Sequence, residues 1–181
     1  MPSRTFTITG IVLKRVNTGE TDRVVTLLTQ EFGKIACVAK GVRNLHSSRR
    51  ATLEPGNFVK AMCVNTSSMP LLTQASLISD SGNCRESLKK VRQLHQYLEI
   101  MDRLFVEEEI DQQFFMQVLE TRELIVAEGT SLDEMRDSFE KILISLGYHH
   151  PSVPIDSILN KVSELTERPI HSFEYLVVKP Q

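Results

Sequence analysis

The sequence predicts an α+β chain of two domains, a barrel of five short strands over residues 1–80 and an all-α helical bundle over residues 81–181. Three observations predict it. Apolar residues recur with a period of two through the first half and with spacings of three and four after Ser81. The strand-like runs are separated by turn chemistry, with one long connection between the third and the fourth. Charge divides along the same line: residues 1–79 hold ten Lys and Arg against four Asp and Glu, a balance of +6. Residues 80–181 hold eleven against nineteen, a balance of -8, and together these make the chain's -2. Such asymmetry predicts an N-terminal part that meets polyanions and a C-terminal part that does not.

The first strand is TFTITGIVLKRVN (Thr5–Asn17), where Phe6 and Ile8, then Ile11 and Leu13, alternate with smaller or polar residues. Gly10 should break its register as a bulge or bend does. Thr18-Gly19-Glu20-Thr21 is turn chemistry, and Asp22–Gln30 follows as a β-branched run. Glu31-Phe32-Gly33-Lys34 reads as a tight hairpin turn, with Gly33 free to take a positive φ. In the third strand Ile35, Cys37 and Ala39 alternate with Lys34, Ala36 and Val38. The chain then empties into a polar connection carrying Lys40, Arg43, His46, Arg49 and Arg50, with Glu54 its only acid. A connection of this length without structure of its own is usually functional or disordered, and this one suits phosphates. Asn57–Asn65 alternates Phe58, Lys60 and Met62 with Val59, Ala61 and Cys63, and Pro70–Ser79 is a fifth extended run. Five strands fit an oligonucleotide-binding barrel, and strand count alone leaves an SH3-like barrel open.

Beyond Ser81, Val91, Leu94, Leu98, Met101 and Phe105 make one apolar helix face of about six turns. A second helix spans Asp111–Glu128 with Phe115, Val118, Leu119, Ile125 and Val126 inward and Gly129 as its stop. Ser131-Leu-Asp-Glu134 is a capping box opening a third, with Leu132, Met135, Phe139, Ile142, Leu143 and Leu146 facing the core and Gly147 ending it. Pro154 begins a fourth, aligned by Ile155, Ile158, Leu159, Val162 and Leu165, and the apolar residues of Arg168–Lys179 dock back on the bundle.

The chemistry of catalysis is not visible here. GxxxxGK[ST], GxGxxG, GxSxG and HExxH are all missing, so the expectation is a binder that is not an enzyme and uses no cofactor. His149-His150 reads as a surface pair, and Glu107-Glu108-Glu109 with Asp111 as a solvated acidic run. The opening residues carry no apolar run of signal-peptide length, and no stretch of about 18 apolar residues occurs. Cys37, Cys63 and Cys84 lie far apart without a CxxC, which predicts reduced, buried thiols in a cytosolic protein and no zinc site. The β half has no Trp or Tyr and only Phe6, Phe32 and Phe58, so base stacking should be minor and charge on phosphate the main term.

Gly10–Asn44, with its GIVL strand, GE-T-DR turn, TLLT strand and GK-x-x-x-x-AKG-x-R segment, resembles the opening of RecO, a bacterial recombination mediator. The resemblance continues through Leu53-Glu54-Pro55, Tyr97–Leu104, Leu143–Tyr148 and Glu167–Leu176, in order along nearly the whole chain. It implies an oligonucleotide-binding barrel ahead of a helical domain, binding of single- and double-stranded DNA, annealing of complementary strands, and help in loading recombinase onto DNA coated with single-strand-binding protein (SSB). It implies RecR and the SSB C-terminal tail as partners, no membrane, and a cytoplasmic, nucleoid-associated location. Many members carry a four-cysteine zinc module before the RP-x-x-S tail; here His149–Glu167 fills that gap without a cysteine, so the chain looks like a shortened, zinc-free member.

Carried over by position, the DNA-facing candidates are Lys14, Arg15, Arg23, Lys34, Lys40, Arg43, Arg49 and Arg50. Lys34 could point either way, and Asp22 and Arg23 could pair with each other or cap a turn. For a partner peptide, the candidates are the basic residues of the first long helix, Lys89, Lys90, Arg92 and Arg103. Rival expectations are an adapter bridging SSB and RecR with incidental DNA contact, and an RNA-binding barrel.

Overall fold

A computed structural model describes residues 5–106, 109–152 and 158–167. Contacts divide the chain into two compact units, Met1–Ser81 with Phe105–Ile110, and Gly82–Leu104 with Asp111–Gln181.

The first unit is built on β1 (Thr5–Thr18), β2 (Asp22–Thr29), β3 (Gly33–Ala39), β4 (Phe58–Val64) and β5 (Leu71–Ser79), closed in the order β1-β2-β3-β5-β4. All neighbours run antiparallel except β3 and β5, which join through one parallel pair, Val38 with Leu71. Alternation does what its period requires: Cys37, Ala39, Val59, Ala61 and Cys63 turn inward while Lys60 and Met62 face out. Ile8, Val12, Val25, Leu27 and Leu72 complete a core of small and branched side chains. Phe6 and Phe32 pack with their rings tilted against each other, centroids 5.2 Å apart.

Two expectations for the barrel need correction. β1 runs straight through Gly10, and its register shift falls between Val12 and Lys14. Gly10 is needed for closeness instead, because a Cβ there would lie 2.4 Å from the Leu28 carbonyl oxygen. Nor is the β3–β4 connection structureless. Val42 and Leu53 are fully buried in the barrel core, and a one-turn helix, α1 (Arg49–Thr52), lies between them. Asn57 Nδ2 donates to the Ala51 and Thr52 carbonyls, both at 3.0 Å, and its Oδ1 accepts from Ser81 N at 3.0 Å. Gly33 takes φ 55°, as the hairpin turn required.

Phe105 does not extend the first long helix. It leads a segment that belongs to the barrel unit, where Lys34 N donates to the Val106 carbonyl at 2.9 Å and Ile110 N to the Gln30 carbonyl at 2.8 Å.

The second unit holds a 3-10 turn (Gly82–Glu86), α2 (Leu88–Leu104), α3 (Gln112–Val126), α4 (Leu132–Ser145) and α5 (Ile158–Thr166). Leu94, Leu98, Met101, Phe115, Val118, Ile125, Met135, Phe139, Ile142, Leu143, Ile158 and Val162 are buried. Leu132 is exposed instead of facing the core, since it stands in the first helical turn just beyond the cap; Leu165 is exposed as well. Asp111 caps α3 through Gln113 N and Phe114 N, and Ser131 and Glu134 form the expected reciprocal box at α4. Among the described residues no helix is long and apolar enough to cross a membrane. Glu107, Glu108, Pro154, Ile155 and the Arg168–Lys179 tail lie outside the described residues.

Candidate nucleic-acid interface

β1 ends and β2 begins at the same rim of the barrel, opposite the end of β3: Asn17 pairs with Arg23, and Arg23 with Ala39. The β3–β4 connection folds over that rim. Arg43 N donates to the Thr21 carbonyl at 2.9 Å, Arg43 Nη1 to the Gly19 carbonyl at 3.3 Å, and Gly41 N to Asp22 Oδ1 at 2.8 Å. Asp22 is therefore a tie for the connection and not a partner for Arg23.

Arg23 is the centre of the rim. It is 8% exposed, its Nε donates to Asn17 Oδ1 at 3.1 Å, and its buried Nη1 has no hydrogen-bond partner among the described residues. Burial and then the Arg15 charge pull its pKa below the ordinary arginine value; Glu54 pushes it back up, and Arg50 and Arg43 lower it further. Arginine stays protonated under such pressure, so the rim keeps the charges of Arg15, Arg43 and Arg50 about Arg23. Glu20 and Asp22 lie where β1 turns into β2, and the acid that bears on Arg23 is the Glu54 carboxylate. That carboxylate is taken: Arg15 Nη1 forms an ion pair with Glu54 Oε1. Arg50 is exposed on α1. Two apolar side chains flank this surface, Val16 on β1 and Leu45 in the connection, the latter 85% exposed.

The remaining candidates are placed differently. Arg49 works as a strap: Nη1 donates to the Leu72 and Thr73 carbonyls at 3.0 and 3.2 Å, and Nη2 to the Lys40 carbonyl at 2.8 Å. Those bonds fasten the connection to β5 and hold the Lys40 backbone, whose side chain is exposed. Lys14 is exposed on β1 beside the register shift. Lys34 sits at the far end of β3 from Ala39, in the wall of a cavity shared with Glu31 and Glu109, so it is not part of the rim. On α2, Lys90 Nζ closes the C-terminus of α3 through the Val126 and Ala127 carbonyls at 3.3 and 2.7 Å. Arg103 pairs with Glu99 at 2.7 Å one turn away, Arg92 is half-buried and Lys89 exposed.

Sequence reasoning noted Glu54 as the lone acid of the connection but not its hold on Arg15, which lies 39 residues away. It missed Asn17, the side chain that orients Arg23. Cys37 and Cys63 face each other in the barrel core with sulfurs 3.7 Å apart, and Cys84 is buried in the other unit. The shared hydrogen bond and burial hold the Cys37 thiol protonated. Three cysteines so divided do not fit a four-cysteine zinc site.

Residues 1–80 match the family described as recombination protein O N terminal. The chain is 30% identical over 149 residues to the DNA repair protein RecO of Roseiflexus sp. (strain RS-1), covering 82% of this chain and 52% of that protein. It is 30% identical over 143 residues to that of Exiguobacterium sp. (strain ATCC BAA-1283 / AT1b), covering 77% and 56%. Against that of Bacillus subtilis (strain 168) it is 32% identical over 124 residues, covering 68% and 48%. The chain thus spans about half the length of the curated relatives it matches.

Proposed function

The chain belongs to the RecO family, and on that premise we propose that it binds single- and double-stranded DNA through the arginine rim of its barrel and acts in recombinational DNA repair. The observation that carries this reading is the placing of Arg15, Arg43 and Arg50 about the buried Arg23, where Glu54 is the acid that bears on it. Guanidinium groups clustered in excess of acids repel one another, and a phosphodiester relieves that repulsion while its counterions are released. With so few aromatics near the rim, the contact is to backbone and tolerates sequence. Two complementary strands screened on such a surface lose much of their mutual repulsion and find register without nucleotide hydrolysis. Annealing, recombinase loading on SSB-coated strands, and partnership with RecR and the SSB tail extend the same reading, as does a cytoplasmic, nucleoid-associated location.

A salt titration of binding to a mixed-sequence single strand tests it. Arg43→Gln with Arg50→Gln removes two exposed or half-exposed charges without touching the Arg49 strap. The slope of log affinity against log salt should flatten by about 1.4, roughly 0.7 for each lost phosphate contact to a single strand. Annealing of complementary strands should slow in parallel. An unchanged slope in a variant with an unchanged fold would move the DNA surface elsewhere.

A further inference from the structure

The barrel is not equally sealed on every side. On β3, Lys34 N donates to the Val106 carbonyl and Val38 N to the Pro70 carbonyl at 2.8 Å, so alternate amides of this strand point away from β2. Ala36 lies between them and its N–H and carbonyl point the same way. The parallel ladder begun by Val38 and Leu71 would continue by an amide at position 70 donating to the Ala36 carbonyl. Position 70 is proline and has no N–H. The ladder stops there, and the Ala36 backbone has no hydrogen-bond partner among the described residues.

A cavity of about 600 Å³ opens at that point, bounded by Phe32, Ile35 and Ala36 on one side and Ser68, Met69 and Pro70 on the other. Two exposed carboxylates, Glu31 and Glu109, stand on its rim against one ammonium, Lys34. The edge of β3 already takes one outside carbonyl beside the cavity, that of Val106 on Lys34 N, and Ile110 N bonds the Gln30 carbonyl in the β2–β3 turn. A slot with unpaired backbone groups, an apolar wall and an acidic rim suits one kind of occupant. We propose that an extended, basic segment of a partner protein adds to the edge of β3 here. It bonds the Ala36 backbone, seats an apolar side chain among Phe32, Ile35 and Met69, and sets Lys or Arg against Glu31 and Glu109. The site is distinct from the arginine rim and its acidic border disfavours nucleic acid.

The probe is an acetylated, amidated peptide of alternating lysine and valine, titrated into the ¹⁵N-labelled full chain. Saturable amide shifts at Ala36 and Met69, with slowed hydrogen exchange at Ala36, are the expected result. The same peptide N-methylated at alternate residues should bind about fivefold more weakly, the effect of losing the one backbone hydrogen bond it donates, to the Ala36 carbonyl. Glu31→Gln with Glu109→Gln should weaken the unmethylated peptide about threefold, as exposed ion pairs do. No saturable shift at Ala36 overturns the proposal, as does equal affinity of the N-methylated peptide. A chain that instead dimerises with rising concentration through Ala36 overturns it too, since the occupant is then a second copy.

Discussion

Among the described residues two arginines are buried, one in each unit, and they are held in opposite ways. Arg122 in α3 is fully buried, and its Nη1 makes an ion pair with Glu123, itself 56% exposed. Arg23 in β2 is almost as deeply buried, yet one of its nitrogens is unpartnered and the charges that bear on it are mostly those of other arginines. Burial alone therefore does not separate a structural cation from a ligand-binding one; the company does. A buried charge with its counter-charge in place is costly to break, because removing one partner strands the other. A buried charge among like charges carries an uncompensated desolvation penalty, which an arriving anion removes. On the proposed reading the difference makes Arg122 a stability residue and Arg23 a binding residue, and each half of that statement can be broken separately.

The largest effect falls on the stability side. Arg122→Ala leaves a void in the helical unit and unpairs Glu123, and should cost about 3 kcal/mol in urea denaturation. The salt slope of DNA binding should stay as it was. If stability is unmoved, the contrast collapses, because Arg122 would then be as dispensable to the fold as Arg23.

Next comes the binding side. Arg23→Met keeps the stem and deletes the charge, so stability should change by no more than about 1 kcal/mol, in either direction. Affinity for single-stranded DNA should fall about tenfold, the value of one charge-assisted contact. A loss of stability matching that of Arg122→Ala, with affinity kept, would reverse the two roles.

The two units also differ in how much of them could be read beforehand. Helix caps and strand alternation are local, so Ser131 with Glu134, the Gly33 turn and the inward Cys37, Ala39, Val59, Ala61 and Cys63 were all legible. Site chemistry depends on which distant residues meet. Lys40, Arg43, Arg49 and Arg50 stood out as one basic run, but the run does not act as one. Where β5 passes decides that Arg49 is a strap, and the β1–β2 pairing decides that Arg23 meets Asn17. The arrest of the β3–β5 ladder at Pro70 was equally hidden, since proline silences a donor only once its partner strand is known.

A smaller effect separates acids that shape the fold from the one that guards the site. Backbone and hydroxyl hydrogen bonds from Ser131 hold the Glu134 carboxyl below its ordinary value. Its folded pKa is depressed, so the stabilisation is fully present above the unfolded value and is lost as pH falls through the folded one. Amide protection in the first turn of α4 should therefore decline below about pH 4. Ser131→Ala, which removes the cap itself, should cost about 1 kcal/mol.

Glu54 is the opposite kind of acid, and replacing it should have the smallest effect. In the free chain its carboxylate occupies Arg15, whose guanidinium would otherwise face the same anion as Arg43 and Arg50. On the proposed reading DNA displaces that carboxylate or binds beside it, and either way the acid opposes a phosphate. Glu54→Gln should raise affinity for single-stranded DNA about threefold, the size of one partly exposed ion pair. The salt slope should steepen, because a freed Arg15 adds one more phosphate contact. A fall in affinity would mean that Glu54 holds Arg15 in the orientation the phosphate needs, which would make it a positioning residue for the rim and not its competitor.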